Sequence, residues 1–167
     1  TISRTEAGVD PMHFQKVDLA ELVRDACALF QPLAEDKGIG LQGAVGGACR
    51  VQGHAPMLQR LLANLIDNAI KYTPPGGSVR VGAACDQGVA RLTVQDDGVG
   101  IAPEDHARVF ERFFRGDQSR SQGGAGLGLS LAQAIARSHG GDILLESQTG
   151  QGSLFTVRLP MGREITQ

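Results

Sequence analysis

No stretch of this chain approaches the roughly 18 to 20 consecutive apolar residues that a membrane helix needs, and its first residues lack a charged start followed by an apolar run. The chain by itself is expected to be soluble, whatever a longer protein containing it does. It also has no excess of basic residues. Its 16 Lys and Arg stand against 18 Asp and Glu, for a formal net charge of −2, and they form no stripe of the kind that neutralises nucleic-acid phosphates. Nucleic acid is not expected as a partner on that ground. Cysteine is scarce: Cys27, Cys49 and Cys85 are isolated, odd in number and far apart, which suits neither a disulfide framework nor the paired spacing of a zinc site. A reducing compartment is the simplest reading of that pattern. There is no internal repeat. Glycine is the one excess, with 23 residues, about twice the usual share of ~7%.

At 167 residues the chain fits one domain, long enough to bury a core without disulfides or metal. Residues 17–37 read as a helix, with Asp18 as N-cap and Leu19, Leu22, Val23, Ala26, Leu29 and Phe30 recurring on one face; Gly38 ends it. Residues 39–45 and 49–52 read as short strands around a turn at Gly46 and Gly47, and residues 56–72 as a second helix. Pro74, Pro75, Gly76 and Gly77 break the chain firmly. Strands are expected at 79–84 and 89–95, the latter alternating through Ala90, Leu92 and Val94. A short helix at 103–109 precedes a polar, glycine-rich loop over 115–126, which is expected to be mobile. A third helix over 127–139 and strands at 143–147 and 154–159 close the chain. Helices too few to cover both faces of the strands predict a two-layer α/β sandwich, with helices on one side of a mixed sheet. Residues 1–8 carry little core-forming sequence and are set off by a turn at Asp10 and Pro11.

Three segments carry chemistry. On the second helix, Leu58, Leu61, Leu62, Leu65 and Ala69 share one side, while Asn64, Asn68 and Lys71 gather on another within about 60°. A solvated polar stripe would explain any one of them. Two asparagines one turn apart, however, are mediocre helix formers, and beside a lysine they offer the oxygen ligands and positive charge that a magnesium-bound phosphate wants. The second segment, Asp96-Asp97-Gly98-Val99-Gly100-Ile101, follows directly on a strand. Taken alone it is a turn; a carboxylate there can also accept from an exocyclic amine while the glycines let backbone approach a flat ring. In the third, Gly123-Gly124-Ala125-Gly126-Leu127-Gly128-Leu129 opens a helix, where unpaired amides and the helix dipole suit an anion. It lacks the lysine-hydroxyl ending of a P-loop and the preceding strand of a dinucleotide fingerprint.

Their order along the chain is what identifies them together. Asn64-Leu-Ile-Asp-Asn68-Ala-Ile-Lys71-Tyr72-Thr73, Asp96-Asp97-Gly98-Val99-Gly100, Phe110-Glu-Arg-Phe113-Phe114-Arg115, Gly124-Ala125-Gly126-Leu127-Gly128 and Thr149-Gly150-Gln-Gly152-Ser153-Leu-Phe155 resemble, in sequence order, the N, G1, F, G2 and G3 boxes of bacterial two-component sensor histidine kinases. The likeness covers residues 53–160, and residues 1–8 are similar to the end of the dimerisation helix that precedes the catalytic domain in that family. It implies an α+β fold of Bergerat type, a mixed, mostly antiparallel sheet covered on one face by three helices. Its implied divisions are a helix end or linker at 1–10, the ATP-binding domain at 11–162 and a tail at 163–167.

By this resemblance Asn68, with Asn64 nearby, holds a magnesium ion, Lys71 reaches phosphate, and Tyr72 lies beside the nucleotide. Asp96 reads the adenine amine over a floor shaped by Gly98 and Gly100. Arg115 is a phosphate contact, and Gly124, Gly126, Leu127 and Gly128 bring backbone amides to the triphosphate. Phe110 and Phe113 anchor the lid or meet the dimerisation helices, or are plain core aromatics. The implied activity is protein-histidine kinase, with ATP and Mg2+ as cofactors. The implied partners are the kinase's own dimerisation and phosphoacceptor domain and a response regulator, within a homodimer anchored in the bacterial inner membrane with this domain in the cytoplasm.

Two departures qualify this. Ala125 stands where many members have a hydroxyl residue, and none of His13, His54, His106 and His139 sits in the phosphoacceptor pattern, so the substrate histidine is expected upstream. His139 reads as a helix C-terminal residue and the others as surface or turn histidines. Rival readings are the conformational ATPases of the same fold, an anti-sigma-type serine kinase, and a binding module without activity. The ATPases place a glutamate, as general base, where this chain has Asn64, a neutral amide that cannot take the proton.

Overall fold

The computed structural model describes residues 13–111 and 128–161. Residues 1–12, 112–127 and 162–167 lie outside the described residues, and with them the expected leading helix end, the glycine-rich lid, the tail, and Phe113, Phe114, Arg115, Gly124, Ala125, Gly126 and Leu127.

The order of elements is β1 (Gln15–Asp18), α1 (Leu19–Lys37), β2 (Gly40–Val45), β3 (Arg50–Gly53), α2 (Ala55–Tyr72), β4 (Ser78–Asp86), β5 (Val89–Asp96), a short 3-10 turn (Pro103–Asp105), α3 (Gly128–Ser138), β6 (Asp142–Gln148) and β7 (Gly152–Pro160). Local chemistry sets the helix ends. The Asp18 carboxylate accepts from the amides of Ala20 and Glu21 at 3.0 and 3.4 Å, satisfying donors that the first turn leaves unpaired. Gly38, at φ 81°, closes the other end of α1 in the left-handed conformation. His54 caps α2, its Nδ1 accepting from Met57 N at 3.4 Å.

Five strands form one sheet in the order β2-β4-β5-β7-β6, with β2 parallel to β4 and every other pair antiparallel. Strand alternation puts Val79, Val81, Leu92, Val94, Phe155, Val157 and Ile143 in the core, and α1, α2 and α3 pack against the sheet, where Leu58, Leu61, Leu62, Leu65 and Ile66 of α2 are fully buried. Full burial of one such leucine is worth about 1.5–3 kcal/mol, so the apolar side of α2 fixes its polar side in place. The mixed sheet with three helices is the architecture that the resemblance implied. Among the described residues no helix is long and apolar enough to cross a membrane.

Two local expectations are corrected. Residues 17 and 18 are strand rather than helix, because β1 pairs antiparallel with β3, Val17 opposite Val51; the partner is too distant in sequence to be read locally. The strands expected on either side of Gly46 and Gly47 are present as β2 and β3, and β2 joins the large sheet while β3 joins β1. The second correction concerns cysteine. Cys49 and Cys85 form a disulfide, with Cα atoms 5.4 Å apart at a sequence separation of 36, leaving Cys27 free. Pairing depends on residues 49 and 85 coming together from two different sheets, which spacing does not reveal, and the cysteines therefore give no support to a reducing compartment.

Candidate functional site

The polar side of α2 carries Asn64, Asn68 and Lys71, all half-buried, as the helical spacing predicts. Asn64 Nδ2 donates to the Gly128 carbonyl at 3.2 Å. This bond ties α2 to the first turn of α3 and leaves the Asn64 amide oxygen as a free acceptor. One turn on, Asn68 makes no side-chain hydrogen bond among the described residues. Two amide oxygens therefore face the same side, which fits a magnesium ion that keeps its waters and takes few protein ligands. No group of three or more His, Cys, Asp or Glu residues suited to a metal occurs among the described residues. Lys71 pairs with Asp67 at 3.2 Å, one turn back on the same helix, both about a third exposed; such a pair is weak enough for a phosphate to compete.

At the C-terminal end of α2 the chain meets the Asp96 loop. Asp96 is 5% exposed at the end of β5, and its Oδ1 accepts from Gly98 N at 2.9 Å. Burial pushes the carboxyl above its ordinary range; hydrogen bonds from the Gly98 and Ser153 amides pull it back, and the Asp97 charge adds to the rise. Gly98 lies so close to the Tyr72 carbonyl that any Cβ would collide with it, and Val99 N donates to that carbonyl at 3.2 Å. Gly100, at φ 77°, is packed as tightly on the Gln148 carbonyl. The two glycines thus let the Asp96 loop touch α2 on one side and the β6–β7 hairpin on the other.

Asn64, Asn68, Lys71, Tyr72, Gly128, Asp96, Gly98 and Gly100 are thereby gathered between α2, the start of α3 and the loop after β5. Phe110 is half-buried, edge-on to Phe155 with ring centroids 6.1 Å apart, so it is anchored on the core. None of the four histidines joins this cluster. His139 is buried, stacked on Phe14 at 4.7 Å. Its Nδ1 bonds the Ile135 carbonyl at 2.9 Å, and its Nε2 accepts from His54 N at 3.0 Å. That arrangement needs the neutral ring, and burial lowers its pKa, with the bond to the Ile135 carbonyl opposing and His54 adding to the drop.

Three further residues build the site without having been singled out from sequence. Lys37 reaches from α1 to the last carbonyls of α2, its Nζ donating to Ile70 O and Lys71 O at 2.8 and 3.1 Å. A lysine in a last helical turn ordinarily serves its own helix, so nothing in the sequence pointed to α2. Asp97 clamps the start of β4, accepting from Ser78 N at 2.8 Å and from Ser78 Oγ at 3.1 Å. Ser147 continues the inward row of Ile143 and Leu145 on β6. A polar residue at such a position is a readable signal that it has partners.

Together these groups form one candidate site. One end offers a buried acceptor and flat glycine backbone suited to a purine amine, and the other offers amide oxygens, a cation and a helix start suited to phosphates.

The comparisons with known proteins fit this geometry. Residues 53–163 match the family described as histidine kinase-, DNA gyrase B- and HSP90-like ATPase. The chain is 41% identical over 163 residues to the sensor histidine kinase RppB of Synechocystis, covering 96% of this chain and 36% of that protein. It superposes on the mycobacterial sensor histidine kinase MprB with a TM-score of 0.75 and 31% identity, over 88% of this chain and 97% of the other. It superposes on full-length ShkA, solved with AMPPNP, with a TM-score of 0.81 and 31% identity, over 90% of this chain and 32% of the other. The chain spans between 24% and 42% of the length of the curated relatives it matches.

Proposed function

We propose that this chain, which belongs to the histidine kinase-, DNA gyrase B- and HSP90-like ATPase family, binds Mg-ATP and donates its γ-phosphoryl group to a histidine on a separate dimerisation domain. It serves in this reading as the catalytic part of a homodimeric sensor kinase that passes the phosphoryl group on to a response regulator. The observation that carries the choice is Asn64. Its amide nitrogen is committed to Gly128 O at 3.2 Å, its oxygen is neutral, and it stands where the ATPases of this fold place a glutamate. A neutral amide cannot take a proton from water, so hydrolysis is slow and the phosphoryl group is kept for a better nucleophile.

The chain's own residues bind and orient. Asp96 accepts from the adenine amine, and the backbone at Gly98 and Gly100 lies against the ring. The first amides of α3, from Gly128 on, and the Lys71 ammonium face the triphosphate. Arg115, Gly124, Gly126 and Leu127 belong to the same reading, outside the described residues. When bound, Mg2+ supplies charge neutralisation on the phosphate oxygens, and the Asn68 and Asn64 amide oxygens are the ligands that would hold it. Transfer breaks the bond between the γ-phosphorus and its bridging oxygen, leaves the electron pair on ADP and forms a bond to an imidazole nitrogen. Positioning and charge stabilisation therefore provide most of the catalysis.

Radiolabelled ATP tests this with the chain alone and with added dimerisation helices bearing a histidine. The expected result is binding and slow hydrolysis alone, and acid-labile label on the helices when they are present. Labelling of His13, His54, His106 or His139, or rapid turnover without any phosphoprotein, would instead favour a different member of the fold, such as a conformational ATPase. Label on a serine of an added protein would point to the anti-sigma type.

A further inference from the structure

We propose that Ser147 is a positioning residue that sets base specificity: it takes up the hydroxyl proton of Ser153 and so leaves the Ser153 oxygen, beside Asp96, able only to accept. The inference rests on the nucleotide reading above and extends it to a residue on a strand that the reading did not use.

The deduction follows from three hydrogen bonds at one hydroxyl. Ser147 Oγ lies 2.8 Å from Ile101 N, 2.8 Å from the Gly152 carbonyl and 2.8 Å from Ser153 Oγ. A serine hydroxyl has one proton and two lone pairs. The Gly152 carbonyl can only accept, so it receives the Ser147 proton. The Ile101 amide can only donate, so it fills one lone pair. The remaining lone pair faces Ser153, which must therefore be the donor in that contact. Once its proton is committed, Ser153 Oγ offers its surroundings lone pairs alone.

Register shows where that matters. Val79 pairs with Asp96, Asp96 with Ser153 and Ser153 with Ser147 across four neighbouring strands, so these side chains stand in one row on the helix-covered side of the sheet. Asp96 and Ser153 are 5% and 8% exposed, and the Ser153 amide already donates to the Asp96 carboxylate. A freely turning Ser153 hydroxyl could offer its proton to a guanine carbonyl as readily as a lone pair to an adenine amine. Held by Ser147, it joins Asp96 as a second acceptor, directly or through one water. The row then favours the exocyclic amine of adenine and opposes a carbonyl, acceptor against acceptor.

Calorimetric titration of the whole chain with Mg-ATP and with Mg-GTP tests this on wild type, Ser147→Ala, Ser153→Ala, the double variant and Ser147→Thr. A neutral hydrogen bond of this kind is worth roughly 3- to 10-fold in affinity, so Ser147→Ala should lower the ATP-to-GTP affinity ratio about 3- to 10-fold. Ser153→Ala should do the same and the double variant no more, because the two residues act as one unit. Ser147→Thr, which keeps the hydroxyl, should restore most of the ratio. If Ser147→Ala weakens both nucleotides equally, Ser147 merely holds the loops and the proposal fails; additive losses in the double variant would sink it as well. Should Ser147→Ala not fold, Ser147→Cys, whose thiol is a poor donor and acceptor, carries the same two outcomes. A wild-type chain that bound neither nucleotide would overturn the underlying reading too, whereas wild-type preference for ATP with an unchanged ratio in the variants overturns this inference alone.

Discussion

Replacing Asp96 by asparagine should separate binding from stability, because the two draw on opposite properties of the same carboxylate. In the free protein burial is the largest influence on Asp96 and outweighs the amides of Gly98 and Ser153, so its ionised form is disfavoured relative to the unfolded chain. Asparagine removes that charge and stays nearly isosteric, so the variant should melt no lower than the parent. Binding is another matter. Two backbone amides and the ligand amine give three donors converging on Asp96; a carboxylate has about four lone-pair sites and an amide oxygen two, its nitrogen being itself a donor. At least one donor then meets an NH2 group in a site that is 5% exposed, and an unsatisfied buried donor costs about 1–3 kcal/mol, roughly 5- to 150-fold in ATP affinity. Calorimetry and thermal melts on one preparation measure both quantities. A variant that loses stability while holding ATP as tightly as wild type would refute the reasoning. The pH dependence carries the same sign: protonation removes the acceptor, so wild-type ATP affinity should fall on acidification, starting above the ordinary carboxylate value of about 3.9, and the asparagine variant should lack that limb.

Asn68→Ala should weaken Mg-ATP by at least about tenfold while affecting nucleotide in chelator much less, and equal losses in both titrations would remove Asn68 from the metal's surroundings. His139 is held neutral with its pKa lowered by burial, so protonation favours the unfolded chain. Stability should be full above the ordinary value of about 6.5 and decline as pH falls below it; urea unfolding at pH 7.5 and 5.5 reads the decline, which His139→Gln should flatten. The Cys49–Cys85 bridge closes a loop of 36 residues in sequence separation, for which chain entropy gives about 4 kcal/mol at most. Reduction should lower the melting temperature, and alkylation should label Cys27 alone before reduction and all three cysteines after it; three labels at the outset would disprove the bridge.

Legibility in the sequence followed the range of the interactions involved. The apolar stripe of α2, the Asp18 and Gly38 caps and the alternation in β5 are local, and they placed those elements to within a residue or two. The same periodicity put Asn64, Asn68 and Lys71 on one side of α2, where they lie. What was missed depends on contacts between distant segments. Strand β1 exists only because residues 50–53 come to pair with it. The disulfide needs Cys49, just before β3, and Cys85, on β4 in the other sheet, brought together, and Lys37 acts on a helix that starts 18 residues after it. His139 shows the limit for side chains, since its place after α3 was readable and its burial against Phe14 was not.

The two ends of the proposed site are held by different kinds of structure, and this bears on how substitutions should divide between specificity and rate. At the base end, Asp96, Ser153 and Ser147 are fixed by strand register, by amides of their own loop and by each other, so the acceptors are in place before any ligand arrives and cost little ordering on binding. At the phosphate end of the proposed site the groups belong to two packed helices tied by the Asn64–Gly128 hydrogen bond, with Lys71 paired with Asp67. Ordering there must accompany phosphate binding, and part of the interaction is realised only as the transferring group is gripped. Changes in the sheet row should consequently alter which nucleotide is held and how tightly, whatever the acceptor histidine. Changes at Asn64 or Lys71 should act on the transfer step as well, because interactions that strengthen toward the transition state are the ones that raise its rate.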